Sequence, residues 1–452
     1  MKRIAAAIGA LSCAISGAFA AEGPVPTGIP HLDHVFVVMM ENHGYSQIIG
    51  NPNAPFTNYY ARTTNLATNY FAVAHPSLSN YLEIVGGSNF GVQSDNYPDW
   101  HNFYCTTNLA SATVNSDTPA SPNICPIAGV GTDAAIPAID TTNETQGAPG
   151  TVNIDGQKSY PAANHTSGKT IADQLVAAGM SWKSYQENLP QEGADNVNYS
   201  DGLFTNNTNF AAILPPMKPA LASSGIVALY AAKHNPFVYF QNVQEGWDPN
   251  NSLDNVVDFT GANGLYADLA AGNVPTYSLI APNQCNDQHG RGNSDQSCAY
   301  DPSDDGSQSG LNPALILRGD MTLRKLVGAI KKSPVWHKGK NAIVVVWDEN
   351  DYSLAPNVNQ VPVIVDTNYA AGGVQSVVYY NHFSLLKSIE AGLGLPCLNH
   401  ACDTDLPTMS DLFMGSGPAA AQNGQGSGKS IGVPLVPGAT AAVSSKLGNS
   451  MQ

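Results

Sequence analysis

Short apolar runs alternate with amphipathic stretches between His34 and Gly392. Val35 to Met40 (VFVVMM) is apolar at every position and stops at Glu41-Asn42-His43-Gly44. A run apolar on both faces predicts a strand in the middle of a covered sheet. Ala342 to Trp347 (AIVVVW) has the same character and stops at Asp348-Glu349-Asn350-Asp351. Met180–Gln186, Phe237–Phe240, Thr276–Ala281, Val361–Val365 and Val374–Tyr380 predict further strands. Helical spacing predicts helices over Thr170–Ala178, Leu311–Lys332 and Phe383–Ala391, the first stopped by Gly179 and the last by Gly392. Another helix is predicted from Pro76-Ser77 through Leu82-Glu83-Ile84-Val85 to the Gly86-Gly87 stop. Strands alternating with helices imply an α/β fold, its mostly parallel sheet covered on both faces.

The remaining stretches bound the domain. Residues 88–168 are dense in Asn, Thr, Ser, Gly and Pro, and predict a loop-rich cap or insertion. From residue 415 to 452 large apolar side chains nearly vanish, which predicts a disordered tail. Residues 21–414 are therefore expected to form one catalytic domain. The first 20 residues, MKRIAAAIGALSCAISGAFA, read as a signal peptide cut after Ala20. The expectation is export to the periplasm or outside. No other stretch approaches the roughly 18 unbroken apolar residues of a membrane span.

Of seven cysteines, Cys13 leaves with the signal. The others fall in local pairs, Cys105 with Cys125, Cys285 with Cys298 and Cys397 with Cys402, and an even set in an exported chain predicts disulfides. The formal charge is −16, yet only 12% of residues are charged. Acidity spread this thinly excludes the basic stripe that nucleic-acid binding requires. It also repels anionic substrates, so a phosphate-ester site here calls for a bound divalent cation to reverse the local sign.

Polar clusters follow several of the predicted strands. They are Glu41-Asn42-His43, Asn283 to His289, and Asp348 to Asp351, with Ser77 and Asn80 at a helix start and His382 opening the last helix. Carboxyl ends of strands are where open α/β sheets bind ligands. A serine at a helix start lies among free N–H groups, which attract phosphate and favour an ionised nucleophile. A strand-end carboxylate beside such a serine points to phosphoryl transfer.

Glu41-Asn42-His43 followed by His75-Pro76-Ser77-Leu78-Ser79-Asn80-Tyr81 resembles the phosphoesterase family that holds acid phosphatase A and the secreted phospholipases C. That family lies within the alkaline phosphatase superfamily. The resemblance spans residues 32–400, with 88–168 and the tail outside it. It implies a three-layer α/β/α sandwich and one divalent ion held by Glu41, Asn42, Ser77, Asp348 and Glu349. An all-oxygen set favours Ca²⁺, Mg²⁺ or Mn²⁺ without excluding Zn²⁺. It implies further that Ser77 is the nucleophile and that Asn80, with Asn42, steadies phosphoryl oxygens. Asp287, His289 and His382 either hold a second ion or bind substrate and protonate the leaving group, and both roles stay open. His43, His75 and His165 add to the histidine supply, and Tyr185-Gln186-Glu187 is read as architecture or pocket wall.

The implied activity is that of a secreted, metal-dependent phosphomonoesterase working on a small phosphate ester through a phosphoseryl intermediate. The alternatives are a phospholipase C-type diesterase and an exported binding protein on a phosphatase scaffold. Ser77 where phospholipases carry Thr, the plain signal and the lack of a large C-terminal extension favour the first.

Overall fold

A computed structural model describes residues 22–99, 105–111, 115–116, 124–128, 132–133, 165–189, 229–291, 296–303, 305–350 and 359–415. All of these belong to one compact unit, Met1–Pro418. The signal segment, the tail beyond residue 415, Asp351 and most of 88–168 lie outside the described residues.

Eight strands form the central sheet. They are β1 (His34–Met40), β2 (Asn65–Ala67), β3 (Trp182–Gln186), β4 (Val256–Val257), β5 (Tyr277–Ala281), β6 (Asn341–Trp347), β7 (Val363–Thr367) and β8 (Gln375–Ser376). Their spatial order is β8-β2-β7-β6-β1-β5-β3-β4. β6, β1, β5, β3 and β4 run parallel, while β7 is antiparallel to both β6 and β2. The two all-apolar runs are adjacent at the centre, pairing from His34 with Asn341 to Met40 with Trp347. Val35 to Met40 and Ala342 to Trp347 are fully buried, as expected of strands covered on both faces.

The helices complete a three-layer α/β/α sandwich. They are α1 (Pro55–Thr63), α2 (Ser77–Gly86), α3 (Ile171–Ala177), α4 (Leu265–Ala271), α5 (Pro313–Lys332) and α6 (His382–Leu393). α1 and α4 pack on α5, while α3 and α6 pack on α2. Asp320 of α5 fastens the first of these groups by accepting the Phe56 and Thr57 N–H groups at the start of α1.

Three predicted elements differ. Phe237–Phe240 is a 3₁₀ turn over Pro236–Tyr239, because Pro236 starts a helical turn more readily than a sheet ladder. Val374–Tyr380 keeps only Gln375–Ser376 and Tyr380–Asn381 in strand, with Val377 exposed. α6 runs through Gly392 and ends at the left-handed Gly394. Gly392 answers to packing instead, since a Cβ there would lie 2.6 Å from Leu32 Cδ1.

Candidate active site

The backbone ladder continues one step past the central strands. Glu41 N–H donates to Asp287 O at 2.9 Å, and Asp348 N–H donates to Met40 O at 3.1 Å. These two bonds set the residues after β1, β5 and β6 side by side, which brings Glu41, Asp287 and Asp348 into one buried cluster with Glu349. Ser77 faces it from the first position of α2. Ser77 Oγ lies 3.0 Å from Glu349 Oε1 and 3.2 Å from Glu41 Oε2, so its one proton is directed at carboxylates. The Leu78 N–H, expected to be free, donates to Asp95 Oδ1 at 3.1 Å.

Surrounding groups hold the acids in place. Tyr81, one turn along α2, donates its hydroxyl to Glu41 Oε1 at 2.5 Å. His75 Nδ1 lies 2.9 Å from Glu349 Oε2. Asn42 reaches the cluster through its backbone N–H, 3.3 Å from Asp348 Oδ1. His43 turns away and pairs with Asp301 at 2.7 Å.

Asn80 supports the turn before Ser77 rather than presenting a free amide. Its Oδ1 accepts the Val73 and Ala74 N–H groups, and its Nδ2 donates to Ala74 O and Glu349 Oε2. Both ends of its amide are thus engaged, and one of them ties Glu349 to the turn before Ser77. His382 is likewise a strut. Its Nε2–H donates to Asp348 O at 2.6 Å, leaving Nδ1 to accept from Tyr70 Oη at 2.9 Å. Burial lowers its pKa to about 4 and keeps the ring neutral. It therefore does not join Asp287 and His289 as a set of three.

His234 lies between Glu41 and Asp287 instead. It lies in the 3₁₀ turn Ala232–His234, held by Gln186 Nε2 on its carbonyl at 3.1 Å. Its ring stacks on Tyr81 at 5.4 Å. Nε2 lies 3.1 Å from Glu41 Oε1 and Nδ1 lies 3.3 Å from Asp287 Oδ2. Glu41, His234 and His289 can hold a metal ion, since one ligand atom from each lies within 4.8 Å of the others. His289 donates from Nδ1 to Gly290 O, so its Nε2 lone pair is exposed to the site, where Lys233 Nζ approaches to 3.2 Å. Lys233 Nζ is also 3.3 Å from Ser77 Oγ and 2.9 Å from Asp95 Oδ2.

Lys233, His234 and Asp95 escaped the sequence reading. Asp95 lies within residues 88–168, whose composition predicts a loop-rich cap. Lys233-His234 is separated by two residues from the apolar run Phe237–Phe240, and Lys233 is the sole Lys or Arg between Lys218 and Arg291. A lone cation in so long a stretch was the available signal.

The acids are electrostatically uncomfortable as they stand. Burial, relieved in part by Lys233 and Tyr81, pushes Glu41 up to about 7. Burial and then the Glu41 charge push Asp287 and Asp348 well above the carboxylate range. Asp348 Oδ2 is buried without a hydrogen-bond partner among the described residues, and the contact nearest Asp287 Oδ2 is the His234 ring at 3.3 Å. A buried, unpaired donor atom among like-charged carboxylates is what a divalent ion would satisfy, so these residues fit one.

A buried serine among carboxylates at the head of an α/β sheet defines a phosphoric ester hydrolase here, and comparison with known proteins agrees. The Phosphoesterase family matches residues 51–300, more than half of the chain, and the protein belongs to that family. A phosphatidylinositol-3-phosphatase of Mycobacterium tuberculosis is 24% identical over 91% of this chain and 94% of its own length. An acid phosphatase of Aspergillus fumigatus is 23% identical over 80% of this chain. This chain spans only 55% of the fungal protein. A solved alkaline phosphatase superfamily protein from Vibrio parahaemolyticus aligns over 83% of this chain and 69% of its own, at 13% identity and a TM-score of 0.37.

Proposed function

We propose that the protein is a metal-dependent phosphomonoesterase, acid phosphatase-like, that works through a phosphoseryl intermediate. The observation that carries this reading is Ser77 Oγ at the start of α2 within 3.2 Å of both Glu41 and Glu349. Glu41, Asp348 and Glu349, with Ser77, would hold a hard divalent ion. Glu41 with His234 and His289 offers a mixed nitrogen and oxygen set suited to a transition metal. When bound, the ion lowers the cost of negative charge on the serine oxygen.

The chain supplies the remaining steps. Ser77 is fixed at the helix start by Asn80 and by the Asp95 bond to Leu78 N–H. Its hydroxyl proton is already directed at carboxylate oxygens, which opens the oxygen for attack on phosphorus. Water then displaces the serine oxygen from phosphorus. Two displacements, each inverting, give net retention of configuration. His75 and Asn80 keep Glu349 aimed at Ser77 throughout.

The test is hydrolysis of p-nitrophenyl phosphate and bis-p-nitrophenyl phosphate, each with and without chelator, plus acid trapping of a phosphopeptide containing Ser77. Chelator-sensitive monoester turnover with a trapped phosphoserine is expected. Inversion at a chiral phosphate would mean one displacement and would remove the covalent step. The three disulfides, Cys105–Cys125, Cys285–Cys298 and Cys397–Cys402, support an exported protein. Among the described residues no helix is long and apolar enough to cross a membrane.

A further inference from the structure

We propose that Lys233 is a catalytic residue of this hydrolysis: its ammonium faces the Ser77 oxygen and then an oxygen of the phosphoryl group transferred to it. The proposal rests on Ser77 being the nucleophile. Lys233 Nζ has three contacts for its three N–H donors: Ser77 Oγ at 3.3 Å, His289 Nε2 at 3.2 Å and Asp95 Oδ2 at 2.9 Å. A lysine serving only to neutralise the buried acids would lie against them. Among the described residues its one ion pair is instead with Asp95, whose side chain is 31% exposed, while the lysine is 14% exposed. The ammonium is thus aimed at the reacting oxygen.

Asp95 is the positioning residue. One of its oxygens accepts the Leu78 N–H and the other accepts from Lys233. A single carboxylate therefore ties the cation to the helix that carries the nucleophile. His289 contributes through the tautomer fixed by Gly290 O, which leaves a lone pair and not a proton toward the ammonium. A lysine ammonium paired with a carboxylate at 2.9 Å is a fixed positive charge, so its part in the step is to supply charge and not to transfer a proton.

The step balances without further reagents. The Ser77 Oγ–P bond forms as the P–O bond to the leaving group breaks. The serine proton is released, and the leaving alcohol takes up one. Water then reverses the serine chemistry and yields inorganic phosphate. A fixed cation beside the oxygen that gains charge is electrostatic stabilisation arranged in advance, with losses of roughly 10²–10³-fold when one such group is removed.

The experiment compares wild type with Lys233→Met, Lys233→Arg and Asp95→Asn. Lys233→Met should lower kcat/KM for p-nitrophenyl phosphate about 100-fold and weaken inorganic phosphate binding in calorimetry about tenfold, at unchanged metal content and melting temperature. Lys233→Arg should recover part of both losses, because charge is kept and geometry is not. Asp95→Asn should lower kcat about tenfold with KM nearly constant, a split that a merely structural role would not give. It serves as the deciding variant if Lys233→Met fails to fold. Folded Lys233→Met with kcat/KM and phosphate affinity both within threefold of wild type would overturn the proposal, as would Asp95→Asn with normal kcat if that variant decides. If wild type hydrolyses no ester, the functional reading falls, and phosphate binding by the Lys233 variants still decides the role of the ammonium.

Discussion

The two ends of the central strands bury polar groups of different kinds. At the amino ends the buried polar groups are largely neutral amides that close loops. Asn341 donates to Val335 O and Lys338 O at 2.8 Å each. Asn368 accepts the Asn341 N–H and donates to Trp336 O. Asn255 donates to Trp182 O at 2.9 Å. At the carboxyl ends, Glu41, Asp287, Asp348, His234 and His382 are buried and their ionisation is displaced. Burial alone therefore does not separate the two ends; the presence of buried groups that can ionise does.

Four measurements break or sharpen that contrast. The largest effect is expected at Ser77. Ser77→Ala should cut turnover about 10³-fold or more, while the loss of one helix-start hydroxyl costs only about 1 kcal/mol; a phosphatase assay beside a denaturant titration checks both. At Asp348, replacement by Asn should remove bound metal and roughly 10²-fold of activity. Elemental analysis showing full occupancy with normal turnover would take Asp348 out of the ion-binding set.

The amino end should respond in the opposite manner. Asn341→Ala leaves two carbonyls unsatisfied and should cost about 2–3 kcal/mol of stability, with kcat unchanged in the fraction that folds. A fall in kcat there would dissolve the distinction between the two ends.

The smallest expected effect is in the pH dependence of the chelated protein. Glu41, Asp287 and Asp348 have raised folded-state pKa values, so the folded chain keeps protons that the unfolded chain has lost. Their contribution to stability falls as pH rises, through about 7 for Glu41. His289 and His382, lowered to about 3 and about 4, act in the opposite sense and are spent above the ordinary histidine range. The acids alone remain at higher pH. Chelated protein should melt at a lower temperature at pH 8 than at pH 6.5, and added divalent ion should raise the melting point more at pH 8. A flat profile would mean that another cation already pairs with the carboxylates.

The central sheet was legible because β1 and β6 are apolar on both faces, a pattern that leaves little choice of environment. That Glu41, Ser77, Asp348 and Glu349 lie at the ends of elements was legible because the sequence marks those ends clearly. His234 and Lys233 were not, since a short apolar run after Pro236 reads alike as strand or 3₁₀ turn. Asp95 was hidden because a loop without periodicity gives no face from which to judge direction. The roles of Asn80 and His382 depend on which partners occupy both ends of a side chain, and sequence spacing does not carry that.

The Cys285–Cys298 disulfide closes a segment with a sequence separation of 13, and Asp287 and His289 lie inside it. Closing a loop of about that length contributes roughly 3 kcal/mol in the chain-entropy account. The bond acts on the segment that bears these two groups and not on the strands of the central sheet. Protein made in a cytosol rich in glutathione would lack that closure, and the expected cost falls first on the placement of Asp287 and His289. Choice of production host becomes a determinant of specific activity, and a thiol titration belongs beside every rate measured for this protein.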